Sequence, residues 1–144
     1  MKNRSVPTDI VLPHVSYRNP VEACAWLRRV FGFTENYGYG DPVSGIQIYL
    51  GQAYLMLHCV REGCLSPAQL GYGTQTLTVF VEDVDAHYAR SVAEGARIVE
   101  ELHETIYGER QYGVEDLDGH KWLFSRHAQD VDPAEWGATV APES

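Results

Sequence analysis

The sequence has 144 residues, 44% of them hydrophobic and 11% aromatic, with 11 Lys and Arg against 20 Asp and Glu for a formal net charge of −9. A chain of this size folds as one ordinary globular domain and buries roughly 70% of its unfolded surface, so the core needs neither a disulfide nor a metal to hold it. A surface this acidic repels phosphate backbones and anionic lipid headgroups, which sets nucleic acid and membrane aside as partners.

The acidity is uneven. Residues 1–73 carry six basic and five acidic side chains, and residues 74–144 carry five basic and fifteen acidic ones. Cys24, Cys59 and Cys64 are an odd number without a short secreted framework, which points to free thiols in a reducing compartment. Met1 to Ser5 lacks the apolar stretch of a signal peptide, and no run approaches 18 apolar residues, so the expected location is cytoplasmic.

In chain order, residues 10–17 read as a strand, and Asn19-Pro20 starts a helix, with a capping side chain followed by proline at the first helical position. Val21, Cys24, Leu27 and Phe31 recur at helical spacing, and Gly32 closes the helix. Three strands are predicted next, at 33–39, 46–50 and 53–60, separated by Gly40-Asp41-Pro42 and Gly51-Gln52. The same order then returns. Residues 76–81 are β-branched and aromatic, Asp83 caps a helix on which Val84, Tyr88 and Val92 share a face, and Gly95 ends it. Strands are predicted at 97–102, 111–114 and 121–125, the last two joined by Asp116-Leu117-Asp118-Gly119.

The chain therefore says one thing twice, with a period of about 64 residues. The expected organisation is a single domain over 1–144: a first βαβββ module at 8–60, a connection at 61–74, a second module at 75–127 and an acidic tail at 128–144, which Trp136 docks loosely on the body. The fold class is α+β. Each half-sheet packs one face on its helix, and two such sheets curved toward each other enclose a cavity suited to a small molecule.

Several motifs carry a resemblance to a known family. They are the helix end Phe31-Gly32-Phe33, the start of the second helix at Val81-Glu82-Asp83-Val84-Asp85-Ala86, and the run from Tyr107-Gly108-Glu109-Arg110 through Asp116-Leu117-Asp118-Gly119-His120-Lys121-Trp122-Leu123-Phe124. With the repeat, they resemble the vicinal oxygen chelate superfamily, most closely its glyoxalase/bleomycin-resistance group, over about residues 8 to 127. The resemblance implies paired βαβββ modules around a cavity, often a homodimer, and in the family's enzymes a divalent metal held by two side chains from first strands and two from last strands. Those positions fall here on Leu12 and Thr76, and on Met56 and Leu123; a slip of two in the first strand would put His14 there instead, a lone histidine without partners of the required type. Leucine has no donor atom, a threonine hydroxyl is a poor ligand and a thioether suits soft Cu(I), so no metal and no cofactor is expected.

Strand alternation sorts the remaining candidates. If Trp122 and Phe124 pack on a helix, Lys121, Leu123 and Ser125 face the cavity. By the same rule Leu12, His14 and Ser16 line it from the first strand, Tyr54, Met56 and His58 from the fourth, and Thr76, Thr78 and Phe80 from the fifth. This apolar and aromatic lining, with a few hydroxyl and imidazole groups, suits a flat or amphipathic organic ligand. The acidic second half and the tyrosines favour a cationic one. Glu101 and His103 are expected on one strand face, His120 in a hairpin turn, His87 on an exposed helix face and His127 in the tail.

The leading functional expectation is a non-catalytic protein that binds and sequesters a small aromatic or cationic compound. The alternative is a metal-dependent lyase, isomerase or dioxygenase with a displaced site built from His14, His58, Glu101 and His103. Metal-free acid–base chemistry by His14 or His58 with Tyr54 is a third. A homodimer is expected, because an open apolar sheet surface would otherwise be exposed.

Overall fold

The computed structural model describes residues 11–142. The first module runs β1 (His14–Tyr17), α1 (Pro20–Phe31), β2 (Thr34–Tyr39), β3 (Gly45–Leu50) and β4 (Ala53–Cys59). A short helix in the connection, α2 (Pro67–Leu70), leads to the second module, formed by β5 (Thr76–Phe80), α3 (Val84–Ala93), β6 (Arg97–Glu104), β7 (Glu109–Glu115) and β8 (Lys121–His127). A 3₁₀ turn, Pro133–Trp136, follows. The expected strand at 10–17 begins only at His14, and Ile10 lies outside the described residues.

Each module is a four-stranded mixed sheet, ordered β1-β4-β3-β2 and β5-β8-β7-β6. The first strand of each runs parallel to the last, and the other pairs are antiparallel. The fold is thus α+β with two βαβββ units, as the repeat predicts.

The helices form where their punctuation places them. Asn19 Oδ1 accepts from Glu22 N at 3.2 Å, Pro20 opens α1, and Gly32 at φ 82° donates its N–H to Arg28 O at 3.2 Å. A left-handed residue closing a helix is most readily glycine. Asp83 Oδ1 caps α3 through Ala86 N at 3.0 Å, and the helix ends at Ala93 with Glu94 as its cap.

The buried stripes differ from those predicted. On α1, Val21 is exposed and Ala23, Cys24, Leu27, Val30 and Phe31 are buried. On α3, Val92 is 50% exposed, while Val84 and Ser91 are buried with His87 and Tyr88 half-buried. A spacing of four drifts by roughly 40° per step on a helix of 3.6 residues per turn, so Val92 swings out while the i, i+3, i+4, i+7 set stays in.

Both helices sit between the modules, and the helix-facing sides of the two sheets share one core. Val15, Tyr17, Ile46, Ile48, Leu55 and Leu57 belong to the first sheet, and Val79, Tyr112, Val114, Trp122 and Phe124 to the second. Phe31, the last residue of α1, sits with its ring 5.5 Å from Trp122 and 4.7 Å from Phe124.

A polar clamp at the β7–β8 turn fastens this core. Asp116 is 7% exposed and accepts from Tyr17 Oη (2.6 Å), Trp122 Nε1 (3.0 Å), Asp118 N (3.0 Å) and His120 N (3.0 Å). Asp118 accepts from Arg18 N at 2.7 Å and Arg18 Nε at 2.8 Å, and His120 Nε2 donates to Ser16 O at 2.6 Å. His120 therefore leaves its own hairpin and ties the second module to β1. A buried carboxylate with every lone pair matched to a donor is the arrangement in which desolvation is offset.

Candidate ligand-binding site

The pleat sends successive side chains to opposite faces, so burying Val15, Tyr17, Leu55 and Leu57 against α1 turns His14, Ser16, Tyr54, Met56 and His58 to the other side of the first sheet. Register brings them together. His14 pairs with Met56 and Ser16 with His58 across β1/β4, while Gln47 pairs with Met56 and Tyr49 with Tyr54 across β3/β4. The His14 and His58 ring centroids are 5.9 Å apart, and Tyr54 stacks on Tyr49 at 5.1 Å. Met56 is 7% exposed, Ser16 is buried with its Oγ 2.9 Å from Cys64 Sγ, and Tyr54 and His58 are half-buried. Leu12, just before β1, is half-buried.

On the second sheet Trp122 and Phe124 pack inward, and the opposite face carries Thr76 beside Lys121, Thr78 beside Leu123 and Phe80 beside Ser125. This face is open. Thr76, Thr78 and Lys121 are exposed, Leu123 is half-buried and Phe80 is 66% exposed.

The predicted residues are thus spread over the outer faces of two sheets and do not converge in one closed cavity within a single chain. A cavity of about 360 Å³ where the modules meet takes Tyr54 and Thr78, with Val11, Pro13 and Leu77. Another of about 270 Å³, beneath the connection, takes His14 and Ser16 with Cys64, Tyr72 and His120. Lys121 lines a polar cleft of about 580 Å³ with Arg97 and Glu115.

Register also tests the metal positions. His14 pairs with Met56 as Thr78 pairs with Leu123, which makes Met56 and Leu123 equivalent members of the repeat. Leu12, Met56, Thr76 and Leu123 offer one thioether and one hydroxyl, a donor set that does not fit a hard or borderline divalent ion.

The displaced site does not assemble either. His14 and His58 belong to the first sheet, whereas β6 is the edge strand of the second. Register shifts in β6 between Ile98 and Glu100 and between Glu100 and His103 turn Glu101 away. Glu100, not the expected Glu101, meets His103, with Oε1 3.0 Å from Nε2. Among the described residues no group of three or more His, Cys, Asp or Glu is placed to hold a metal. Tyr54 makes no hydrogen bond to either imidazole among the described residues, so the acid–base trio is not connected.

Two features, and the partner of a third, lay beyond the sequence reading. His87, expected on an exposed helix face, is largely enclosed: Nε2–H donates to Phe31 O at 2.8 Å and Nδ1 lies 2.5 Å from Tyr112 Oη, which is also 2.8 Å from Ser91 Oγ. Burial lowers its pKa below the ordinary 6.5, helped by Arg90 and opposed by the Phe31 carbonyl. The Asp116 clamp was foreshadowed only by the Asp-Gly turn. The tail contributes Trp136, whose ring meets Tyr107 edge-on at 5.7 Å.

Comparison with known proteins agrees with this architecture. Residues 11–124 match the family model of the Glyoxalase/Bleomycin resistance protein/Dioxygenase superfamily. The chain belongs to that superfamily. Among solved structures it is similar to TioX from Micromonospora sp. ML1, at 34% identity and a TM-score of 0.68 over 81% of this chain and 96% of that one. The fold is also that of TnmS3 from Streptomyces sp. CB03234, described as an antibiotic binding protein, at 20% identity and a TM-score of 0.68 over 84% and 97% of the two chains. A curated relative, an uncharacterised protein of Mycobacterium tuberculosis, is 30% identical over 79 residues, 55% of this chain and 46% of that one. The chain spans about half the length of the curated relatives it matches. None of its helices is long and apolar enough to cross a membrane among the described residues.

Proposed function

We propose that this protein binds and sequesters a small organic molecule, aromatic or cationic, against the non-helix faces of its two sheets, without the divalent metal of the superfamily's enzymes. What supports this is the chemistry of the residues at the four positions that the family resemblance gives to metal ligands. Leu12 and Met56 at the first sheet and Thr76 and Leu123 on the second stand where charged ligands would be needed, and the imidazoles of His14 and His58 and the stacked rings of Tyr49 and Tyr54 flank the first pair. Such a surface binds by burying apolar area and by stacking, with imidazoles as adjustable hydrogen-bond partners. The existence of an antibiotic-binding protein with the same fold is consistent with it.

The ligand site is completed by a second copy of the chain. Phe80 at 66% exposure, with Thr76, Thr78 and half-buried Leu123 beside it, leaves the second sheet's face uncovered in one chain. A two-fold partner laying its first module over that face would enclose both sets of residues.

Calorimetry against a panel of cationic glycopeptides and planar antibiotics, with chelator present, tests the binding function. Saturable heat with at least one class is expected. Absence of binding across the panel at millimolar concentration would overturn it. Light scattering at micromolar concentration is expected to give a dimeric mass, and a monomeric mass would remove the shared cavity.

A further inference from the structure

One end of the second sheet's outer face carries more positive than negative side chains, in a module whose sequence is strongly acidic. Arg97 pairs with Glu115 across β6/β7, Glu115 with Lys121 across β7/β8, and Lys121 with Thr76 across β8/β5, so the four form one row over all four strands. Directly paired residues share a face, and Lys121 precedes the buried Trp122, which puts the row on the non-helix side.

The row opens onto a cavity. Arg97, Glu115 and Lys121 line the polar cleft of about 580 Å³ together with Pro67, Ala68 and Tyr72 of the connection. Its functional groups are within reach of a ligand: the Arg97 side chain is 79% exposed, Tyr72 is 65% exposed and Lys121 is exposed.

The cations of the cleft are under-partnered. Arg97 Nη1 stands 3.6 Å from Glu115 Oε2, beyond hydrogen-bond distance, and Lys121 has no ion pair among the described residues. One carboxylate, Glu115, therefore faces two cations. Asp116 also lines the cleft, but both of its oxygens are taken by Tyr17, Trp122 and the N–H groups of Asp118 and His120. Other carboxylates of the second module are paired elsewhere: Asp85 with Arg110, Glu94 with Arg29 and Asp118 with Arg18. The net acidity of the second half does not describe this end of the face.

We infer that the cleft is a subsite for the oxyanion of an aromatic acid, a carboxylate or phosphate group held by Arg97 and Lys121 with the aromatic body against Tyr72. The Cα atoms of Arg97 and Lys121 stand two strands apart, about 10 Å, a span that two long side chains close around one oxyanion. A guanidinium presents a planar fork that matches carboxylate and phosphate oxygens, and an ammonium adds a point charge with three donors. The inference rests on the binding function proposed above, whose aromatic class it narrows to acids and to which it gives a place.

The chain has only two lysines, Lys2 and Lys121, so reductive ¹³C-methylation of the whole chain gives one side-chain signal from each. At constant ionic strength, 2-naphthoate or 2-naphthyl phosphate is expected to move the Lys121 signal saturably, to leave Lys2 in place, and to bind about tenfold more tightly than neutral 2-naphthamide. In calorimetry, Arg97→Gln and Lys121→Gln should each reduce that preference severalfold. Glu115→Gln should strengthen it, because it removes the carboxylate that competes for Arg97; all variants are checked for native circular dichroism. No preference for either acid, a preference that survives the double change of Arg97→Gln with Lys121→Gln, or weaker acid binding in Glu115→Gln would overturn the subsite. If that happens while a compound of the calorimetric panel still binds, only the subsite falls; if no compound binds at all, the binding function falls with it.

Discussion

Asp116→Asn replaces the buried carboxylate of the inter-module clamp by a side chain of the same shape. The wild-type group accepts four hydrogen bonds, two on each oxygen: Tyr17 Oη and Trp122 Nε1 on Oδ2, Asp118 N and His120 N on Oδ1. An amide keeps one acceptor oxygen and presents an NH₂ group where the other stood. Whichever way it lies, two buried donors lose their acceptor and face another donor. At about 1–3 kcal/mol for each buried donor left unmade, the loss is about 2–6 kcal/mol, a large part of the 5–15 kcal/mol typical of a domain. In urea, with a slope of about 2 kcal/mol per M, the unfolding midpoint should fall by about 1–3 M. Tyr17→Phe removes only one of the four bonds and leaves Trp122 on the same oxygen, so its midpoint should fall by about 0.5 M. Two urea titrations at neutral pH, followed by tryptophan fluorescence, measure both values. If Asp116→Asn unfolds within about 0.5 M of the wild type, or no earlier than Tyr17→Phe, the clamp does not join the modules in the way described.

Other expectations follow from the same residues. Burial lowers the His87 pKa in the folded state, so the unfolded chain takes up the proton more readily, and the stability this group contributes is present above about pH 6.5 and lost as pH falls below it. His87→Gln should therefore lower stability at pH 7.5 yet show a shallower decline between pH 7 and 5 in paired urea titrations; an unchanged slope would contradict the assignment. Gly45 pairs with His58 on the candidate face and lies directly beneath the Tyr39 ring, so Gly45→Ala should displace that ring and weaken ligand binding with little change at the second sheet, which nuclear magnetic resonance shifts would report. Treatment with a chelator should leave both the thermal midpoint and any ligand affinity of the wild type unchanged, because Leu12, Thr76, Met56 and Leu123 do not form a donor set; a loss of affinity restored by zinc, nickel, iron or manganese would refute this.

Much of the fold was legible because it is written locally and twice. The Asn19-Pro20 and Asp83 caps, the closing Gly32 and the alternation of Val15, Tyr17, Trp122 and Phe124 each act within a few residues, and the structure follows them to within a residue or two at most boundaries. The parts that were not legible depend on distant neighbours. Nothing near Asp116 in sequence announces that Tyr17 will donate to it, a contact between residues in different modules. His87 looks polar on a helical wheel, and only the Phe31 carbonyl and Tyr112 hydroxyl on other elements explain its burial. The β6 irregularities exchange Glu101 for Glu100 opposite His103, because a single extra residue in a strand reverses every later side chain. The candidate site falls between these cases. Alternation placed its residues on the non-helix faces, but which faces meet depends on how modules pair, a matter of surfaces and not of periodicity.

Met56 offers the most direct test of metal-free binding on the outer face of the first sheet. The chain has only two methionines, Met1 and Met56, so ¹³C-methyl labelling gives a two-signal spectrum in which Met56 reports on the outer face of the first sheet. Titrating a compound that gives heat in calorimetry, with chelator present throughout, should move the Met56 methyl signal saturably and with the calorimetric affinity. Heat without any movement of Met56, or movement that begins only when a divalent metal is added, would contradict the proposed function.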